Sequence, residues 1–218
     1  PVIAMGTDDP ISRRAMPTAE PSAVTESDLA PDLCTGLALL YLSLPNFVFF
    51  LSWVSPLPGL TCGAALAYLL TRIGCRKTPL RRADHAVTGV ILLLAIAMVW
   101  SYCGGAGHFS YANRDWIVRD AVFGDLIWGQ WPVSYGTQDG YPLLLRSAIG
   151  YFLPAALVTK ALGIQFADIA LFAWTATGTF LFLALLPIGQ RKPVATLILV
   201  TIVILFSGMD ALGIVITP

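Results

Sequence analysis

From residue 33 onward the chain is a succession of apolar runs separated by short polar breaks, and few folds accept that pattern. The runs occupy 33–54, 60–74, 87–103, 143–163, 166–187 and 194–207. A helix needs about 20 apolar residues to cross about 30 Å of hydrocarbon, and several runs come close to that length. Of the 218 residues, 56% are hydrophobic and 12% charged, with a mean hydropathy of +0.74. Soluble domains carry about 25% charged residues, so the composition argues against an ordinary soluble domain and excludes disorder of the whole chain. Thirteen basic and thirteen acidic residues cancel, which removes the electrostatic footprint of a nucleic-acid partner. The expected fold is all-α: a polytopic transmembrane bundle of about six apolar helices whose partner is the lipid bilayer.

Residues 1–30 differ from everything that follows. They are rich in Pro, Ser, Thr, Asp and Glu and predict a disordered tail, with residues 31–218 as the transmembrane domain. Arg13–Arg14 has no apolar stretch behind it, so the tail is not a secretory signal. Pro45 predicts a kink in the first run, and the Pro- and Gly-rich 55–59 a tight turn. Arg72, Arg76, Lys77, Arg81 and Arg82 form the strongest charge cluster. The positive-inside rule makes that loop and the N-terminus cytoplasmic.

The stretch 104–145 then faces outward as the one long loop between apolar runs. It holds His108, Tyr111, Trp116, Trp128, Trp131, Tyr135 and Tyr141 together with Asp115, Asp120, Asp125 and Asp139. Part of it, about 114–130, reads as an interfacial helix with Asn113 as N-cap. For 143–163 the length favours a crossing. That would leave Arg191–Lys192 outside, against the positive-inside rule; a re-entrant segment would avoid this. Cys34, Cys62, Cys75 and Cys103 are scattered without metal-ligand spacing, and His85 and His108 are too few for a haem or zinc centre. Phosphate-loop, HExxH and GxSxG motifs are absent.

The candidate chemistry lies mainly in the external loop. Asp115 and Arg119 are i, i+4 neighbours on the expected helix and can pair. Asp120 falls between Trp116 and Ile127 on an apolar side, where a carboxylate must find a partner or a cavity. Aromatic faces such as Trp116, Trp131 and Tyr141 suit sugar rings, while carboxylates bind hydroxyls or take their protons. Arg146 opens the next apolar run, either as an anchor reaching the headgroups or as a cation for a lipid phosphate. Lys160 reads as a headgroup anchor and Asp168 as a helix N-terminal acid. Asp210, between Ser207-Gly208 and Gly213, is either an intramembrane functional acid or an acid at a helix break.

These residues resemble the GT-C superfamily of membrane glycosyltransferases. The resemblance rests on Asn113-Arg114-Asp115-Trp116, Asp120, Asp125, Trp131-Pro132, Tyr141-Pro142-Leu143 and the segment from Gly150 to Leu157 with Lys160. It covers roughly 104–213, and the later Phe206-Ser207-Gly208 with Asp210 and Gly213 is similar to a motif of bacterial polytopic membrane proteins. The resemblance implies sugar transfer from a polyprenyl-phosphate carrier at the extracytoplasmic face of a bacterial inner membrane. It implies an external-loop Asp, Asp115 first and Asp120 second, as base toward the acceptor hydroxyl or as ligand to a divalent metal. Arg146 would hold the carrier phosphate, with Trp116, Trp131, Tyr141 and Asp210 lining the substrate site. Three apolar runs precede the loop here and the family's adjacent acidic pair is missing. The chain is expected to be the N-terminal portion of a longer protein. Two other readings compete: a transporter or flippase for a lipid-linked or polar solute, and a non-catalytic membrane scaffold subunit.

Overall fold

The computed structural model describes residues 33–74, 87–110 and 114–186, with 198, 202 and 203. The tail 1–30, most of the run 194–207 and Asp210 lie outside the described residues. Six α-helices are described: α1 Leu33–Ser52, α2 Pro56–Gly74, α3 Val87–Cys103, α4 Asp115–Trp128, α5 Ile149–Leu162 and α6 Ala167–Leu185. Two helical segments, Leu33–Ser52 and Ile164–Leu185, are long and apolar enough to cross a membrane. The fold is therefore helical as expected, but six spans are not reached among the described residues. Large apolar side chains nonetheless face outward along α1 to α3, among them Leu40, Leu51, Leu60, Ile91, Leu92 and Val99. A body in water would hide a patch of that extent.

Helices α1 and α2 form a hairpin around the Pro-rich turn, and α3 packs on α6. The directions follow from named contacts. His108, just past the end of α3, meets Asp168 in the first turn of α6, so α6 begins at the end of the body where α3 stops. Tyr41 of α1 stacks on Trp174 of α6, with ring centroids 3.9 Å apart, and its hydroxyl donates to the Trp174 carbonyl. Gly178 makes room for this: a Cβ there would overlap the Tyr41 hydroxyl. Gly178→Ala gains up to about 1 kcal/mol of helix propensity but forces a stacked, hydrogen-bonded ring aside at about 1–3 kcal/mol. We expect a net loss of about 1 kcal/mol, read as a lower unfolding midpoint, whereas Gly36→Ala, with open space around its Cβ, is expected to gain slightly.

The expected crossing by 143–163 is not what the chain does. Helix α5 has 14 residues, about 21 Å of length, against the ~30 Å required. Its first turn lies near Pro45, midway along α1. Lys160, in its last turn, reaches the Gly129 carbonyl at the end of α4, and Gly163 hands the chain to the start of α6. Helix α5 thus brings the chain back to the end of the body that it left.

The stretch 104–145 also contains strand structure, so the fold is not strictly all-α. Strands β1 Ser134–Gln138 and β2 Tyr141–Leu144 pair antiparallel, with Gln138 opposite Tyr141 and Thr137 opposite Pro142. Asp139 and Gly140, both at positive φ (52° and 81°), make the two-residue turn. Asp-Gly is favoured there because its left-handed geometry matches the strand twist. The Tyr135 hydroxyl donates to the Asp125 carboxylate and ties the hairpin to α4. The principal core lies beneath it, where Trp116, Phe123 and Leu126 of α4 meet Phe152, Leu153 and Ala156 of α5, Val48 of α1 and Leu171 of α6.

Candidate functional site

Glycine chemistry at the end of α3 builds the site. Gly104 and Gly105 close the helix with N–H bonds to the carbonyls of Trp100 and Tyr102. Gly105 at φ 75° and Gly107 at φ 72° then turn the chain through left-handed conformations that side chains disfavour. Gly107 also lies against α6: a Cβ would overlap the Asp168 carbonyl oxygen and come within 2.9 Å of Phe172 Cβ. This close approach carries His108, itself at φ 58°, to the first turn of α6.

His108 joins two carboxylates from different helices. Its Nδ1 lies 3.0 Å from Asp168 Oδ1 and its Nε2 2.9 Å from Asp120 Oδ1 of α4. Trp116, one turn before Asp120, meets the imidazole edge-on with centroids 5.5 Å apart. The Arg119 guanidinium lies 5.3 Å from the Trp116 ring centre. Asp120 has therefore found the partner that its apolar position demands. The cluster is open, with side chains 35%, 41% and 55% exposed for His108, Asp120 and Asp168.

The protonation state follows from the geometry. Both imidazole nitrogens donate only in the charged form, and each here faces a carboxylate. Partial burial pulls the His108 pKa down, but the hydrogen bonds to Asp168 and Asp120, then their charges, outweigh it and raise the pKa above the usual 6.5. A group whose pKa is raised by folding stabilises fully below its unfolded pKa, and loses that contribution as pH rises through the folded value. The linkage between α3, α4 and α6 is thus expected to hold below about pH 6.5 and to weaken as pH climbs past the raised pKa. Protease nicking within 104–130 at increasing pH reads this directly. The pH response should vanish in His108→Gln; an unchanged response would assign it elsewhere.

The three side chains do not suit a metal. The lone-pair directions of the two ring nitrogens diverge, so the carboxylates sit on opposite sides of the imidazole rather than around one point. Among the described residues, no group of three or more His, Cys, Asp or Glu is arranged to hold a metal ion. The divalent metal expected from the sequence finds no fitting cradle among the described residues.

The other expected site residues are dispersed. Asp115 opens α4 on an exposed position, five residues from Asp120. Trp116 is only 4% exposed, a wall behind His108 rather than a free stacking face. Trp131 is half-buried, donates from Nε1 to the Leu126 carbonyl and lies under the Lys160 ammonium. Lys160 also donates to the Gly129 carbonyl at 2.7 Å, a cation at the C-terminus of α4 rather than a headgroup anchor. Tyr141 is exposed on β2, and Arg146 is exposed between β2 and α5. Asp125 is engaged by Tyr135. Asn113 lies outside the described residues, as does Asp210.

His108 is the residue that sequence reasoning missed. Its one local signal is the glycine-rich stop Gly104-Gly105-Ala106-Gly107 before it. No family model matches the chain, and neither a curated protein nor a solved structure is significantly similar to it.

Proposed function

We propose that the chain is a membrane glycosyltransferase, or the N-terminal portion of one, with Asp120 as the base. Its working end comprises the α3 terminus, α4 and the start of α6, at the extracytoplasmic face of a bacterial inner membrane. The tail 1–30 is cytoplasmic. A returning α5 supports this orientation: α6 ends at the end of the body where α3 begins, and Arg191 and Lys192 follow it in sequence, so the positive-inside rule assigns them to the same side as the basic cluster 72–82.

The observation that carries the reading is Asp120 itself. Its Oδ1 is fixed at 2.9 Å by His108, while Oδ2 has no hydrogen bond among the described residues and the side chain is 41% exposed. A carboxylate held by one oxygen and open at the other can take the proton of an acceptor hydroxyl as that oxygen attacks the anomeric carbon. The glycosidic bond forms, the bond to the carrier phosphate breaks, and the phosphate leaves with the electron pair. His108 holds Asp120 in orientation, and Asp168 holds His108. Arg146 remains our candidate for the carrier phosphate and Tyr141 for the sugar.

Two measurements test this. Single cysteines at Ser134 and Gln190, in a background without native cysteines, are expected to react with an impermeant reagent on intact cells at Ser134 only. Labelling of Gln190 alone would invert the orientation. Sugar transfer from a polyprenyl-phosphate-linked donor in membranes is expected to fail in Asp120→Asn and to persist in Asp115→Asn. The reverse would move the base to Asp115. Transfer unaffected by either would leave the cluster as a structural tie, in keeping with the scaffold reading.

A further inference from the structure

A second feature of the body is independent of the transfer chemistry. Between α1, α3, α5 and α6 lies a cavity of about 320 Å³, at the lower end of ligand-binding pockets. Four hydroxyl groups line it, from Tyr41, Tyr151, Thr175 and Thr179, with Trp100 and Phe182 as walls. None of the lining side chains is charged.

The hydroxyl protons are largely taken up within the protein. Tyr41 donates to the Trp174 carbonyl, Thr175 to the Leu171 carbonyl at 2.8 Å and Thr179 to the Thr175 carbonyl at 3.0 Å. Tyr151 is hydrogen-bonded to the Thr175 hydroxyl. Thr175 has one proton for two acceptors, the Leu171 carbonyl and the Tyr151 oxygen, so that pair can run in either direction. At least three of the four protons are therefore committed to the protein, which leaves the lining richer in hydrogen-bond acceptors than in donors. A further donor of the lining is the Trp100 indole N–H, which has no hydrogen bond among the described residues.

We infer that this cavity binds the hydroxyl end of a neutral, apolar molecule: an alcohol-headed amphiphile. A hydroxyl both donates and accepts, so it can give its proton to a Tyr or Thr oxygen and accept from Trp100, while its carbon chain lies along Phe182 and the aromatic rings. A carboxylate or phosphate has no proton to give to these oxygens and meets no cationic side chain, so its desolvation goes largely uncompensated. An alkane fills the space but leaves the oxygens unpaired.

The test uses the full chain in lipid vesicles and three photoreactive probes of equal length: a long-chain alkanol bearing a diazirine, the corresponding fatty acid and the corresponding alkane. Mass spectrometry locates the adducts. The alkanol is expected to label peptides spanning 149–162 and 167–185 over either other probe by on the order of five-fold, the worth of one net hydrogen bond. Tyr151→Phe and Trp100→Phe, which keep aromatic bulk, are expected to abolish that preference while the alkane adduct persists and reports an intact fold. Competition separates the source of the hydroxyl: diacylglycerol displaces the probe if the occupant is a lipid, a short soluble alcohol if it is not. Equal labelling by alkanol and alkane, preference for the fatty acid, or no adduct at these peptides would each overturn the inference.

Discussion

Replacing Gly107 with Ala is expected to be the most damaging single substitution at any described glycine, lowering stability by about 3 kcal/mol. Two costs coincide there. At φ 72° a side chain meets the penalty of the left-handed region, about 1–2 kcal/mol. The new methyl would also overlap the Asp168 carbonyl oxygen and crowd Phe172 Cβ at 2.9 Å. Both obstacles belong to the rigid start of a helix, so neither can swing away as a long side chain would, and overpacking of this kind costs about 1–3 kcal/mol. Gly136→Ala is the matched control: its φ is 106°, but nothing lies within 4 Å of its Cβ. It is expected to lose only the conformational share, about 1 kcal/mol. Equal losses in the two variants, measured as denaturation midpoints in one detergent, would show that α6 does not press on Gly107. In Gly107→Ala the His108–Asp168 bond is expected to be lost as well, so its protease sensitivity between 104 and 130 should no longer depend on pH.

That dependence of a site on a glycine contact explains what could be read from the sequence. Local periodicity was enough for α4: the expected 114–130 became Asp115–Trp128, because Trp116, Phe123 and Leu126 share a face at helical spacing. The same spacing put Asp120 on the apolar side and demanded a partner for it, but could not name His108. The contact of His108 with Asp168 joins residues 60 positions apart and exists only because α3 and α6 pack closely, which no local pattern encodes. The hairpin was legible in principle, since Asp139-Gly140 is a strong two-residue turn signal; the aromatic, loop-like composition around it obscured it. The run 143–163 misled for a different reason. Apolar length is necessary for a span, but Leu143 and Leu144 went into β2 and the helix began only at Ile149, too late to reach across.

The second large effect concerns Asp120 and depends on our reading of it as the base. Asp120→Asn keeps the size and a hydrogen-bonding group beside His108 but cannot accept a proton, and loss of a general base costs roughly 10²–10⁴-fold in rate. Asp115→Asn is expected to change transfer little. The pH profile supplies a signature that a merely structural aspartate would not give. At high pH, once His108 loses its proton above its raised pKa, one ring nitrogen becomes an acceptor facing a carboxylate. Asp120 or Asp168 then loses its donor, and the rate is expected to fall. His108→Gln, which retains a neutral donor, should run more slowly and lack the high-pH limb. If the limb persists in His108→Gln, the titrating group is not this imidazole. If Asp120→Asn retains full activity, proton removal belongs to another residue, and His108 serves to hold three helices together.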